Sequence, residues 1–160
     1  MFKPNSKKRN SCKIHLPNKK ASEIKELLLV IYRTKSGIAY KTVTNENCYF
    51  LLKLADEYQM EDIREECENV LVNLVSKKPG NTFLSDLTFA QDYELNKLLE
   101  TIVNRACQLR LCDFQNHEMY DKMNPRIYKQ IVEGIIKRLE RSSEQLSEVL
   151  SQMNVPTTTV

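Results

Sequence analysis

The stretch from Asn47 to Val75 reads NCYFLLKLADEYQMEDIREECENVLVNLV, and it decides the fold class of this chain. Its apolar residues recur at spacings of three and four, which is the period of a helix with one buried face. They form two consecutive sets, which are Leu51, Leu54, Ala55 and Tyr58, then Met60, Ile63, Cys67, Val70, Leu71 and Leu74. Because no loop residues separate the sets, the stretch predicts a tight helical hairpin within a mainly α-helical protein.

The residues before the hairpin predict one short strand and one helix. Apolar and polar residues alternate from Cys12 to Leu16, which is typical of a strand. A helix is predicted from Ser22, as N-cap, to Tyr32. Its expected buried face consists of Ile24, Leu27, Leu28 and Ile31. Residues 33–43 are predicted to be a loop with a brief strand at 38–40, and Thr44 or Asn45 is predicted to cap the next helix.

The residues after the hairpin predict further helices. Pro79 and Gly80 mark a break, and helices are expected at about 84–91 and 95–109. Asn124 and Pro125 suit the N-cap and first position of a last helix, which uses apolar residues up to Leu139. Gly134 within it costs about 1 kcal/mol relative to alanine. Residues 140–153 are more polar and are expected to fray or to extend into solvent. No internal repeat of fixed period is visible in the sequence.

Length and composition indicate one domain with tails that works inside the cell. The chain has 160 residues, and its longest apolar run, Leu27 to Tyr32, is far shorter than a membrane span. The N-terminus has no apolar signal-peptide region. Five irregularly spaced cysteines favour a reducing compartment over a disulfide framework. We therefore expect a cytoplasmic or nuclear location, and neither secretion nor a membrane partner.

The candidate chemical groups do not form a catalytic or metal-binding pattern. The two histidines, His15 and His117, have no nucleophile with an orienting third group in the sequence pattern. Cys107, Cys112 and His117 are evenly spaced, but structural zinc sites normally use closely paired ligands. We therefore expect no enzyme activity, no metal and no cofactor. The run of Glu65, Glu66 and Glu68 suits a basic partner, or simply a solvated helix face.

Charge is unevenly distributed along the chain. Residues 1–20, here called the basic arm, contain seven lysines or arginines and no acidic residue. The other residues carry 17 basic and 21 acidic side chains. Such an arm can bind nucleic acid or act in nuclear import. It lacks the interleaved aromatic residues of a base-stacking surface, so we expect nucleic acid to be an unlikely partner, and this function stays as the alternative of another class.

Several short strings resemble the BTB/POZ domain family. KIHL followed by EIKELLLVIY is similar to the last core strand and third long helix of that fold, and LADEY and ECENVL are similar to the next two helices. The region LTFAQDYELNKLLE resembles the helical pair called the 3-box, or the start of a BACK region. In style the chain is closest to nematode BTB and MATH-BTB proteins. The resemblance implies the C-terminal half of a BTB/POZ domain with a short strand, followed by a 3-box/BACK-like helical tail.

This resemblance implies a protein-interaction module and a set of domain boundaries. We expect a basic disordered tail at 1–11, a partial BTB/POZ domain at 12–76, a 3-box/BACK-like region at 82–140 and a polar helix end with a loose tail at 141–160. Ile24, Lys25 and Glu26 match the hydrophobic-x-Glu motif that BTB adaptors present to the cullin scaffold of a ubiquitin ligase. The predicted interface, with the hairpin end and the following helical pair, consists of Ile24, Lys25, Glu26, Gln59, Met60, Asp62 and Tyr93.

The sequence also departs from the family pattern. The family's N-terminal half, which builds the usual homodimer surface, has no counterpart before Cys12, so homodimerisation stays open. The expected function is a truncated or diverged adaptor that docks a cullin. The alternative of the same class is a scaffold or modulator that pairs with other BTB chains without a cullin.

Overall fold

A computed structural model describes residues 16–32 and 41–153, without the side chain of Met153. Within these ranges the chain is mainly helical and contains no strand, which confirms the predicted fold class. Two 3₁₀ turns lie at Thr82–Asp86 and Tyr120–Lys122. The helices are α1 (Ala21–Ile31), α2 (Cys48–Glu57), α3 (Glu61–Lys77), α4 (Leu87–Asp92), α5 (Asn96–Ala106), α6 (Leu111–Gln115) and α7 (Pro125–Met153).

The chain divides into two compact units, one ending at Lys41 and the other beginning at Thr42. In the first unit, α1 begins at Ala21, so the prediction of Ser22 as N-cap is wrong by two residues. Leu27 and Val30 are buried, whereas Leu28 and Ile31 are 45% and 38% exposed. The predicted buried face is therefore rotated, because Leu27 and Val30 carry it in place of Leu28 and Ile31. The strands predicted at 12–16 and 38–40 lie outside the described residues, apart from Leu16, which is not in a strand.

The second unit begins with a loop that Asn47 organises. Its side-chain Oδ1 accepts a hydrogen bond from the Thr44 N–H at 2.7 Å, and its Nδ2 donates to the Thr42 carbonyl at 3.0 Å. The side chain is buried, so these bonds satisfy an amide that burial would otherwise penalise. Helix α2 then begins at Cys48. The prediction of Thr44 or Asn45 as its cap is wrong, because the N-cap is Asn47.

The predicted hairpin of α2 and α3 is confirmed, with a turn of three residues between the helices. Gln59 lies in the left-handed region at φ 56°. Its N–H donates to the Asp56 carbonyl at 3.2 Å, and the Met60 N–H donates to the Ala55 carbonyl at 2.7 Å. These are the two bonds of a Schellman motif, which ends a helix and reverses the chain. Tyr58 caps α2 and is 38% exposed, so it does not extend the buried face.

The same turn recurs between α4 and α5, 35 positions later in the sequence. Glu94 has φ 50°, its N–H donates to the Gln91 carbonyl at 3.3 Å, and the Leu95 N–H donates to the Ala90 carbonyl at 2.9 Å. The strings LADEYQM and FAQDYEL occupy equivalent positions in the two turns. The two helix–turn–helix segments therefore share one turn geometry, although α2 has 10 residues and α4 has 6.

Helices α3 and α5 lie side by side and run in the same direction, fixed by one polar contact at each end. Glu68 of α3 accepts hydrogen bonds from the backbone N–H groups of Lys97 and Leu98, at 2.7 and 3.1 Å. These donors belong to the first turn of α5, where N–H groups have no partner within the helix. Arg105 of α5 donates to the carbonyls of Val75 and Lys78 at the end of α3. Each helix thus caps the other.

The buried face of α3 has a stricter spacing than the sequence predicted. Ile63, Cys67, Leu71 and Val75 are fully or almost fully buried. Val70 and Leu74, which the sequence placed on this face, are only half-buried. The reason is that α3 packs against both α2 and α5. The four buried residues, which are four positions apart, face the space between these two helices.

Helix α7 begins as predicted, because the Asn124 Oδ1 accepts from the Arg126 N–H at 2.9 Å and Pro125 is the first helical residue. It continues for 29 residues without a break. At Gly134 it passes the end of α5, where a Cβ atom would lie 3.1 Å from the Cys107 Cβ and would overlap its Sγ. Gly134 therefore allows a close approach of the two helices.

Candidate protein interface

A groove on the first unit contains part of the predicted interface. It is lined by Leu16, Lys19, Ala21, Ile24, Lys25 and Leu28 and has a volume of about 330 Å³. Ile24 is half-buried in this lining, and Lys25 is exposed. Leu16 and Leu28 are each more than 40% exposed. The groove, called the α1 groove below, combines apolar side chains with lysine side chains, which suits a partner surface that carries both apolar and acidic groups.

Glu26 follows the groove residues on α1 and takes part in an ion pair. Its Oε1 lies 3.0 Å from the Lys41 Nζ, and its side chain is 22% exposed. Ion pairs near the protein surface contribute about 0–1 kcal/mol. Glu26 has a further interaction besides this ion pair.

The other predicted residues lie in the second unit, around the first turn of α3. Gln59 is exposed in the Schellman turn, Met60 is the half-buried N-cap of α3, and Asp62 is exposed. Arg64 joins this turn to α4 by donating to the Tyr93 carbonyl. Three of these residues lie beside Arg64, which the sequence analysis missed. The Arg64 N–H donates to the Met60 carbonyl at 3.0 Å, its side chain donates to the Tyr93 carbonyl, and Asp62 lines the same cleft as Arg64.

Tyr93 ends a row of three half-buried aromatic rings. Its ring centroid lies 4.7 Å from that of Phe89, which lies 5.2 Å from that of Tyr49. The Tyr49 hydroxyl donates to Asp86 at 2.8 Å, and the buried Asp86 carboxylate also pairs with Lys78 at 2.5 Å. Burial, together with hydrogen bonding to Asp86, raises the pKa of Tyr49. Burial, with the charges of nearby aspartates, raises the pKa of Tyr93. This row joins α2 to α4.

An acidic cleft of about 320 Å³ lies where α3 passes the turn before α5. Five acidic and two basic side chains line it, together with Leu95 and Asn96. Glu68 caps α5, and Glu65 lies 2.6 Å from the Lys97 Nζ. Lys97 lowers the pKa of Glu65, whose own charge raises the pKa of Lys97. The acidic run singled out in the sequence therefore contributes to the packing of α3 on α5.

The described cysteines lie mostly in packed surroundings, and only the end of the basic arm belongs to the described residues. Cys48 and Cys67 are buried, as the sequence indicated, and burial raises the pKa of Cys67 to about 12. The Cys107 thiol donates to the Ile131 carbonyl at 3.7 Å, so it packs against α7. In the described ranges no three ligand-type side chains lie close enough to hold a metal ion. Most of the basic arm lies outside these ranges, and Lys20 pairs with Glu23 at 3.0 Å.

Sequence signals existed for some of the residues that were missed. In the string ECENVL, Cys67 belongs to the core and Glu68 caps α5. The matching strings LADEYQM and FAQDYEL would have indicated the repeated turn. No pattern indicated Arg64 or Arg105, because their acceptors are carbonyl groups that are distant in the sequence.

Comparison with known proteins shows which family the first part of the chain resembles. Residues 1–74 match the BTB/POZ domain model. Over these residues the chain is similar to that family. The chain is also 31% identical, over 101 residues, to BTB and MATH domain-containing protein 38 of Caenorhabditis elegans. The aligned part is 63% of this chain and 24% of that protein, so the chain spans about a quarter of the length of this curated relative.

No solved structure matches the chain significantly. The BTB/POZ domain is a protein-interaction domain, so this part of the chain acts in protein–protein interaction. The structural description of the helices agrees with a BTB domain followed by a helical tail. None of the helices in residues 16–32 and 41–153 is long and apolar enough to cross a membrane.

Proposed function

We propose that this chain is a BTB-type adaptor that docks the cullin scaffold of a ubiquitin ligase. The observation that carries the proposal is the α1 groove, because Ile24 and Lys25 of the hydrophobic-x-Glu motif line it. Ile24 fills an apolar pocket of the partner, and Glu26 makes a charge-assisted contact at the edge of that pocket. Glu26 exchanges its ion pair with Lys41 for this contact.

The primary experiment is calorimetric titration of the chain with a cullin N-terminal domain. Replacing Ile24 by Asp should weaken binding at least 30-fold, since buried anchor residues contribute about 2 kcal/mol or more. Leu111→Asp is the control, because Leu111 is also an apolar helix residue, is 42% exposed, and is absent from the groove lining. Equal binding by the Ile24→Asp variant, or no binding by a cooperatively folded wild-type chain, would rule out this adaptor function.

A second pair of variants separates the proposed role of Glu26 from its ion pair. Glu26→Gln should weaken binding, because it removes the charge that the partner contacts. Lys41→Met removes the ion pair but leaves the carboxylate, so it should leave binding unchanged or slightly tighter. Equal losses in both variants would mean that the ion pair matters only for the conformation of α1.

The second candidate function is a scaffold that pairs with other BTB chains without a cullin. The observation in its favour is that Leu28, Ile31 and Tyr32 of α1 are 45%, 38% and 55% exposed. Adjacent exposed apolar side chains are typical of binding surfaces. An Ile31→Asp variant should then lose binding to a second BTB chain in the same titration. A cullin complex that survives this substitution would favour the adaptor.

A further inference from the structure

The C-terminal part of α7 extends beyond the packed body of the second unit. Ile131 and Ile135 are buried, but every residue from 139 to 152 is exposed. These fourteen residues, called the overhang below, form a helix about 21 Å long. The overhang continues a helix whose first half is packed, so its formation needs no separate nucleation. Its exposed apolar side chains are therefore the feature that calls for a partner.

The overhang has one apolar face that continues the buried face of α7. Leu139 follows Ile135 by four residues, Leu146 follows Leu139 by seven, which is two helical turns, and Val149 and Leu150 follow Leu146 by three and four. Each of these four is more than half exposed. The charged residues of the overhang lie away from this face. A stripe that begins inside the packed body and runs into solvent is the pattern of an unpartnered helix–helix interface.

Charge along the helix indicates what covers this face. Residues 137–141 contain three basic side chains and one acidic side chain, whereas residues 142–152 contain two acidic side chains and no basic one. The segment 137–152, which is the overhang with the two residues before it, is thus positive at its start and negative at its end, by +2 and −2; of its basic residues, Arg138 also donates to the Leu109 carbonyl at 2.8 Å. A second copy in the opposite direction places each positive end beside a negative end. A parallel copy would place like charges side by side, which is unfavourable.

We infer that the overhang pairs in antiparallel fashion with the overhang of a second copy of this chain. A two-fold symmetric pair of this kind is self-complementary, because each overhang meets the same surface on its partner. The antiparallel direction also sets opposite ends of the two helix dipoles beside each other. The overhang shares no residue with the lining of the α1 groove.

Sedimentation equilibrium of the full chain tests this pairing. The wild type should dimerise, and Leu146→Glu should raise the dissociation constant at least tenfold, because it places a charge in the centre of the apolar stripe. Gln145→Glu is the matched control, since it adds the same charge at the adjacent position outside the stripe. Cooperative thermal unfolding of each variant shows that folding is retained. A wild type that stays monomeric, or a dimer that Leu146→Glu does not weaken, would overturn the inference.

Charge reversal tests the antiparallel direction. Changing Glu144 and Glu148 to Lys should weaken the dimer about tenfold or more at low salt, because both ends of each overhang then become positive. Changing Lys137 and Arg141 to Glu in the same chain should restore dimerisation, because opposite ends again carry opposite charges. A parallel pair predicts no rescue, and that result would refute the antiparallel arrangement.

Discussion

Replacing Gly134 by Ala tests the close approach of α7 to the end of α5. On an open helix this change would stabilise the protein by about 1 kcal/mol, because alanine has the higher helix propensity. Here the added Cβ overlaps the Cys107 Sγ and lies 3.1 Å from the Cys107 Cβ. Forcing an extra carbon into a packed contact costs about 1–3 kcal/mol. We therefore expect a net loss of up to about 2 kcal/mol in the free energy of unfolding.

The matched background is Cys107→Ala, which removes the overlapping sulfur and leaves only the 3.1 Å contact. That contact needs a shift of a few tenths of an ångström, so Gly134→Ala should be neutral or stabilising by up to about 1 kcal/mol in this background. The difference between the two backgrounds is the coupling energy of the contact. We expect it to be about 1–2 kcal/mol, which lies in the usual range for residues in contact.

Urea unfolding followed by circular dichroism measures the free energy of unfolding of the wild type, the two single variants and the double variant. A destabilisation of 1 kcal/mol corresponds to a fall of about 2–4 °C in the melting temperature for a chain of this size. The reasoning would be refuted if Gly134→Ala stabilised the wild type by the full helix-propensity value. It would be refuted equally by a coupling energy near zero, because the glycine would then not be required by the packing.

Three further predictions concern stability. Glu68→Ala should lower the free energy of unfolding by about 1.5–3 kcal/mol, and Glu68→Gln by less, since glutamine keeps an acceptor for the first turn of α5. Urea midpoints of the two variants check this order. Equal losses would contradict a contribution from the charge of Glu68. Glu94→Gly should stabilise the chain by up to about 1 kcal/mol, because glycine adopts φ 50° without strain; a lower melting temperature would speak against this account. Burial raises the Cys67 pKa from 9.0 to about 12, so the folded chain keeps a proton that the unfolded chain releases. Stability should therefore fall by up to about 1.4 kcal/mol per unit as the pH rises above 9, and a slope in Cys67→Ala as steep as in the wild type would exclude this thiol as its cause.

The sequence predicted those elements that depend on local pattern. The α2–α3 hairpin was predictable because apolar spacing identifies a helix with one buried face. The start of α7 was predictable because Asn124 and Pro125 act locally at a helix N-terminus. The orientation of α1 was not, since Leu28 and Val30 are both apolar and only tertiary packing decides which of them is buried.

The turns and end contacts were harder to predict for a physical reason. Left-handed residues after a helix are usually glycine, whereas here they are Gln59 and Glu94, which carry no such signal. The strain of a non-glycine residue in this region is about 1–2 kcal/mol, and the two Schellman hydrogen bonds offset it. Of the predicted interface, the structure describes Ile24 and Lys25 in one groove and the environment of Tyr93. Their role in binding remains a prediction.

The reciprocal capping of α3 and α5 has a mechanical consequence. Glu68 holds the beginning of α5, and Arg105 holds the end of α3. Sliding one helix along the other, in either direction, stretches both contacts together, and a shift by one helical turn, about 5.4 Å, separates both. A force along the helix axes therefore acts on both contacts at once. We expect the α3–α5 interface to separate in one step, without intermediate positions of one helix along the other. A pulling experiment along the α3 axis would register this as a single rupture step.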